Sequence, residues 1–242
     1  MAEEKALSFH ANFHPQTAMP KKTNPPTLPP KKRVLVVDDH PVFRAGLTAL
    51  VNLEADLVVC GEAHDCVQAM SALERLQPDL VLLDMSLPGK GGLEMLKDIR
   101  AFSPRTPVLI ISMHDETLYA ERVIRAGGRG YIMKQEGPEK IIQAIRRLLS
   151  GGISVSESIS TQILDALSGA KSGASSVSTL TDREFEIYRL LGQGKEPHDI
   201  ACVLHLSIKT VDTHRMHIRQ KLRLRNATEL IHHATRWVGE QG

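Results

Sequence analysis

The sequence predicts an α/β domain built on a doubly wound, five-stranded parallel sheet, followed by a small all-α domain. Between residues 33 and 150, short apolar runs alternate with longer amphipathic stretches, the pattern of repeated strand–helix units. Acids, glycines and prolines stand at the ends of those runs, where chains turn. After a Ser-, Gly- and Ala-rich stretch, a 3.6-residue period with capping residues returns from about residue 179.

Residues 1–32 precede this pattern. Six prolines fall between Pro15 and Pro30, with Lys21-Lys22 and Lys31-Lys32 among them and little to bury. This composition predicts a disordered tail, either without a role or lending loose lysines to a polyanion. The strands are expected at 33–38, 57–62, 79–84, 107–112 and 130–133. Val34-Leu35-Val36-Val37 and Leu80-Val81-Leu82-Leu83 are apolar throughout, as strands covered on both faces must be. Helices are expected at about 41–53, 65–76, 91–102, 116–126 and 137–150, with Gly61, Pro78, Pro107 and Gly127-Gly128 near the boundaries. Right-handed crossovers then place helices on both faces. Residues 151–178, including Ser168-Gly-Ala-Lys-Ser-Gly-Ala-Ser-Ser, read as a flexible linker with a short helix at about 157–167.

The all-α domain spans 179–242. Thr181-Asp-Arg-Glu184 is a capping box opening a helix to Leu191, ended by Gly192 and Gly194. Pro197 suits the first turn of a helix to Leu204, and Ser207 caps another over about 208–222. At 100° per residue, Val211, His214, Ile218 and Leu222 share one face of that helix. Lys209, Thr213, Met216 and Gln220 share the opposite face, bordered by Asp212, Arg215 and Arg219. Such a face fits the DNA major groove, and equally a solvated surface. A last helix runs from an Asn226 cap through Trp237, with Leu230, Ile231, Ala234 and Trp237 apolar on more than one side.

A chain of 242 residues with 42% hydrophobic side chains supports two ordinary domains with real cores. The net charge of +2 excludes a strong overall field toward nucleic acid. Residues 179–242, with 10 basic and 8 acidic side chains, permit DNA binding without demanding it. Cys60, Cys66 and Cys202 form no Cys-x-x-Cys pair and fit buried thiols in a reducing compartment. No apolar run reaches the roughly 18 residues of a membrane span, and Glu3-Glu4 begins a segment without an apolar signal core. A cytoplasmic protein with no membrane association is expected.

In the expected sheet, Asp38, Asp39, Asp84, Ser112 and Lys134 all fall at carboxyl ends of strands, where open parallel sheets bind ligands. Three carboxylates gathered there repel one another unless a divalent cation lies between them, and hard oxygen donors favour Mg²⁺. With a hydroxyl and an ammonium added, these are the groups that phosphoryl transfer needs. Taken singly, Lys134 reads as a surface lysine and Ser112 as a strand-end cap. The sequence has no Gly-x-Gly-x-x-Gly after the first strand and no Gly-Lys-Ser/Thr motif, which disfavours a nucleotide site.

Residues 33–150 resemble the receiver domain of two-component response regulators, a CheY/flavodoxin-like fold. The matching stretches are Val-Val-Asp38-Asp39-His40-Pro41, Asp84-Met-Ser-Leu-Pro88-Gly, Ser112-Met-His114-Asp-Glu and Arg-Ala-Gly-Gly-Arg-Gly-Tyr131-Ile-Met-Lys134. The resemblance implies that Asp84 accepts a phosphoryl group from a histidine kinase. It implies Mg²⁺ on Asp39 and Asp84 directly, with Asp38 acting through water and Ser86 through its backbone carbonyl. Lys134 and Ser112 would hold the phosphoryl oxygens, and Tyr131 would rotate inward behind Ser112. Ser stands at 112 in place of the commoner Thr, and Gly127-Gly128 in place of Gly-Ala; neither removes a required group. Tyr131 is equally a half-buried strand aromatic, and His114 either influences the lifetime of the phosphoryl group or is a loop histidine.

Leu180-Thr-Asp-Arg-Glu184-Phe through Gly194, with Ile200-Ala and Leu206-Ser-Ile-Lys-Thr210-Val-Asp-Thr213-His214-Arg, resembles the LuxR-type helix-turn-helix (about 197–216) of NarL/FixJ response regulators. By position, Asp212, Thr213 and Met216 would face base edges. Lys209, Thr210, Arg219, Lys221 and Arg225 would contact phosphates. Asp212 is an acid where some relatives carry a base, and it would accept from cytosine. The resemblance further implies double-stranded DNA as partner and a homodimer on paired half-sites. The whole chain then reads as a regulatory DNA-binding protein, not a turnover enzyme. An aspartyl phosphohydrolase would want a second acid at position 86, where Ser86 stands. Two further readings stay open: a DNA binder that never sees phosphate, and a C-terminal module that binds protein in place of DNA.

Overall fold

In the computed structural model, the described residues are 30–88, 91–157, 159–161 and 176–241. Five parallel strands, β1 (Lys32–Val37), β2 (Leu57–Ala63), β3 (Leu80–Asp84), β4 (Val108–Ser112) and β5 (Gly130–Met133), form one sheet in the order β2-β1-β3-β4-β5. Helices α1 (Pro41–Asn52), α2 (Cys66–Leu76), α3 (Gly92–Phe102), α4 (Glu116–Arg125) and α5 (Pro138–Leu149) connect them. Each element lies within about one residue of the range the sequence predicts. Strands β1, β3 and β4 supply cores to both faces of the sheet. Leu35, Val37, Val81, Leu83 and Ile110 pack on one side, and Val34, Val36, Leu80, Leu82 and Leu109 on the other. That two-sided burial is why these runs lack polar alternation.

The chain leaves β1 toward β2 and then crosses back to β3. The crevice between β1 and β3 is therefore where the connections part, at the carboxyl edge of the sheet. Strand β3 pairs with β1 through Val37–Leu83 and with β4 through Asp84–Ile111. Asp38, Asp84 and Ser112 consequently emerge side by side. Gly92, the first residue of α3, lies so close beneath β3 that a Cβ would meet Asp84 O at 2.5 Å and Met85 Cα at 2.6 Å.

The beginning of the linker behaves differently from expectation. Ser154 bridges to Gly130, its N–H donating to Arg129 O and its carbonyl accepting from Tyr131 N–H. Ser156 N–H donates to the Glu116 carboxylate at 2.8 Å, and Ile159 is fully buried. The open edge of β5 is thus covered, because an edge with free backbone groups gains by pairing. Residues 162–175 and the tail 1–29 lie outside the described residues, so the linker's middle, most of its expected helix and the tail are not described.

The second domain comprises a short 3₁₀ turn (Ser176–Thr179), then α6 (Asp182–Gly192), α7 (Pro197–Val203), α8 (Ile208–Lys221) and α9 (Ala227–Gln241). Thr181 and Glu184 form both bonds of the capping box on α6, and Ser207 accepts from Thr210 N–H to start α8. Val211, Ile218 and Leu222 are buried against α6 and its neighbours, while Lys209, Thr213, Met216 and Gln220 are exposed. The expected helical faces are those observed. Gly194, at φ +78°, ends the turn after α6 in a conformation that costs glycine little. The last helix runs to Gln241, beyond the Trp237 expected. The cysteines are less buried than expected: Cys60 and Cys66 are half-buried and Cys202 is exposed, since α7 turns Ile200 and Ala201 inward instead.

Candidate functional site

The acid pocket forms where β1 and β3 end. Asp38 and Asp84 are almost fully buried and Asp39 is partly exposed. Lys134, directly after β5, sends its ammonium to Asp38 Oδ2 at 2.8 Å and Asp84 Oδ2 at 3.0 Å. The Lys134 N–H donates to Ser112 O, and Phe43 of α1 lies 4.6 Å from the ammonium. One lysine is set against three carboxylates. Burial, opposed by Lys134 and reinforced by Asp38, raises the Asp84 pKa above its ordinary value. Apart from the ion pairs and the Ser86 N–H beside Asp84, pocket-facing oxygens of Asp38, Asp39 and Asp84 accept no hydrogen bond. An excess of negative charge with orphaned oxygens fits a hard divalent cation held by Asp38, Asp39 and Asp84.

Sequence reasoning missed two neighbours of the pocket. His40 Nδ1 lies 2.8 Å from Asp39 Oδ1 and 4.0 Å from Asp84 Oδ2, and its N–H donates to Asp38. Arg44 donates to Asp38 O at 2.6 Å. The signal was present, since His40 caps the helix that follows the acid pair and Arg44 lies in its first turn. Beside the pocket, Val42, Phe43, Leu47, Leu50, Met113 and Ile141 line a groove of about 560 Å³. Val42 is 88% exposed and Met113 69%.

Ser112 is fully buried, and its Oγ accepts from His114 N–H at 3.0 Å. Tyr131 points inward and donates its hydroxyl to His114 O at 2.8 Å. The His114 ring stacks on Tyr119 of α4, 5.1 Å between centroids. Burial lowers the His114 pKa to about 4, so the ring is neutral at physiological pH.

Beyond Tyr119 lies the second domain, a contact that sequence periodicity gave no means to find. Tyr119 accepts from Arg189 Nε at 3.0 Å and meets the Phe185 edge at 5.2 Å. Arg122 donates to Leu180 O and Val177 O, each at 2.9 Å, and covers the Phe185 ring at 4.2 Å. Lys97 of α3 pairs with Asp182 at 2.7 Å. Helix α4 therefore grips α6 through guanidinium groups laid against aromatic rings, and α3 adds an ion pair.

On α8, the exposed stripe holds Lys209, Asp212, Thr213 and Met216. Asp212 pairs with Arg215 at 2.7 Å, and Thr210 bonds Ser207. Arg219 donates to Arg225 O, which leaves the Arg225 side chain largely exposed. Lys221 stands apart from the other expected phosphate contacts. Its ammonium is 2.6 Å from the buried Glu184 carboxylate, a structural partner within the domain.

Residues 34–146 match the family model described as response regulator receiver domain, and residues 178–234 match that of bacterial regulatory proteins of the luxR family. The oxygen regulatory protein NreC of Staphylococcus carnosus is 33% identical over 208 residues, covering 84% of this chain and 96% of its own length. The chain belongs to the LuxR-type response regulators. Solved structures agree with this assignment. One is a LuxR-family two-component response regulator from Aurantimonas, at 33% identity and TM-score 0.53, covering 57% of this chain and 99% of its own. Another is RcsB of Salmonella typhimurium, at 25% identity and TM-score 0.51, covering 85% and 98%. The response regulator joins a receiver to a DNA-binding domain and regulates transcription. Among its described residues, no helix is long and apolar enough to cross a membrane.

Proposed function

We propose that Asp84 is the phosphoryl acceptor of this response regulator and that its modification loosens the grip of the receiver on the DNA-binding domain. The observation that carries the reading is the buried Asp84 beside Lys134 at 3.0 Å, with orphaned carboxylate oxygens around it. A carboxylate oxygen of Asp84 attacks the phosphorus of a phosphohistidine on a histidine kinase. The P–N bond breaks, the imidazole leaves with the electron pair, and an acyl phosphate remains. Asp38, Asp39, Asp84 and the Ser86 carbonyl would hold Mg²⁺, which offsets charge on the phosphoryl oxygens when bound. Lys134 supplies a fixed positive charge to those oxygens. The exposed apolar groove at Val42 and Met113 beside the pocket supports docking of a protein donor.

The Ser112 hydroxyl turns toward the new phosphoryl oxygens and gives up its bond to His114 N–H. The Tyr131 hydroxyl is bonded to His114 O and the His114 ring is stacked on Tyr119, so the shift reaches Tyr119 and, through it, Arg189 and Phe185. Released from α3 and α4, the second domain places α8 in the major groove. Asp212, Thr213 and Met216 read base edges, while Lys209, Thr210, Arg219 and Arg225 contact phosphates. Lys221 joins them only by leaving Glu184. The exposed Ile231 on α9 supports pairing with a second copy on DNA. The protein acts as a cytoplasmic regulator without substrate turnover beyond its own phosphorylation.

Incubation with Mg²⁺ and a small phosphodonor tests this reading by intact mass. The wild-type chain gains one phosphoryl group and Asp84→Asn gains none. Equal labelling of the Asn variant overturns the assignment.

A further inference from the structure

A second group of metal-ligating side chains lies in the DNA-binding domain, away from the acid pocket. Glu184 of α6 and His214 and His217 of α8 each offer one ligand atom, all within 4.8 Å of one another. The two histidines are three residues apart on α8, so their rings leave the same side of the helix, 6.5 Å between centroids. Glu184 faces them from the neighbouring helix.

The state of each side chain suits a ligand. Nδ1 of His214 is buried and makes no hydrogen bond, so that atom is committed to no other partner. Burial also lowers the His214 pKa, which keeps the imidazole in the neutral form that metals bind. The Glu184 carboxylate is oriented through Oε2, which accepts from Thr181 N–H at 2.7 Å and from Lys221 at 2.6 Å. Ligating carboxylates are held in the same way by outer partners. His217 is exposed and leaves the cluster open to water on one side.

We propose that Glu184, His214 and His217 bind a divalent transition ion of the Zn²⁺ class and tie α6 to the DNA-facing helix α8. Two imidazoles and one carboxylate select such an ion over Mg²⁺, and a water completes four-coordination. Metal–ligand bonds of about 2.0 Å give a tetrahedral edge of about 3.3 Å, so the cluster must contract on binding. His217 can rotate to close it because its ring is exposed. The ion competes with the Lys221 ammonium for Glu184, and the Lys221 side chain, 37% exposed, is free to move into solvent. His217 borders Thr213 and Met216, so an occupied site withdraws its ring from the face offered to DNA. The proposal is independent of any chemistry at Asp84.

The full chain, kept in excess Mg²⁺ to occupy the acid pocket, is titrated with Co²⁺ and followed by visible absorption. The chain has 11 histidines, so the comparison with single variants decides, not total uptake. One equivalent should give the ligand-field band of four-coordinate Co²⁺, and Zn²⁺ should displace it. His217→Gln, a change at an exposed position, should weaken this binding beyond the roughly 10–100-fold that loss of an outer partner costs. His214→Gln should do the same. Identical titrations of the wild-type and His217→Gln chains, with or without uptake, overturn the proposal.

Discussion

Replacing Arg122 with alanine tests how the two domains are held. The guanidinium makes two 2.9 Å bonds to the carbonyls of Val177 and Leu180 and lies 4.2 Å over Phe185. It also sits 3.4 Å from Asp182, at the edge of a useful ion pair. Its side chain is only 16% exposed, so these contacts escape most solvent screening. Hydrogen bonds from a charged donor contribute about 1.5 kcal/mol each after competition with water, and the stacked cation about 1 kcal/mol. The total is about 4 kcal/mol, nearly all of it spanning the interface. Removing it shifts the closed–open equilibrium roughly a thousandfold toward open. Amide hydrogen exchange followed by mass spectrometry reads this directly. Peptides covering α4 and residues 177–190 should exchange faster in Arg122→Ala, whereas β1 and β3 should not change. Asp182→Asn should have a much smaller effect. If the interface peptides of Arg122→Ala keep wild-type protection, the contacts described do not hold the domains together, and the route from Asp84 to α6 fails with them.

Other consequences are equally measurable. Lys221→Ala removes the charged partner of the Glu184 carboxylate and, because Lys221 is itself partly exposed, should cost about 1 kcal/mol of stability, seen as a lower melting temperature of the DNA-binding domain. Lys209→Ala should leave the melting temperature unchanged and reduce the salt slope of DNA affinity by about one. Mg²⁺ at about a hundred times its dissociation constant should stabilise the receiver by about 2.7 kcal/mol, and Asp39→Asn should abolish most of that gain in a thermal melt. Gly92→Ala forces a Cβ onto the Asp84 backbone, so it should cost about 1–3 kcal/mol and slow phosphorylation. His114 has a folded pKa near 4 against about 6.5 unfolded, so the unfolded chain binds the extra proton first. Its contribution is fully present above about pH 6.5 and is lost as pH falls toward 4, on the order of 2 kcal/mol after allowance for partial exposure. Denaturant melts across that window should be flatter for His114→Asn than for the wild-type chain.

The sequence by itself determined the elements and the acid pocket. Apolar runs ending in Asp38-Asp39, Asp84 and Ser112 specify strands, and parallel order brings strand ends to one edge. Capping residues such as Thr181, Glu184 and Ser207 fixed helix starts because their bonds are local, within three residues of chain. Tertiary structure decided what local pattern does not encode. Lys221 reads by position as a phosphate contact, yet a carboxylate 37 residues earlier in the chain claims it. The start of the linker is rich in small polar residues, yet an unpaired sheet edge takes it up. The meeting of Tyr119 and Arg122 with Arg189 and Phe185 joins positions some 60–70 residues apart. Amphipathic periodicity says that a face is apolar or charged; which other face it meets depends on the packing of whole domains.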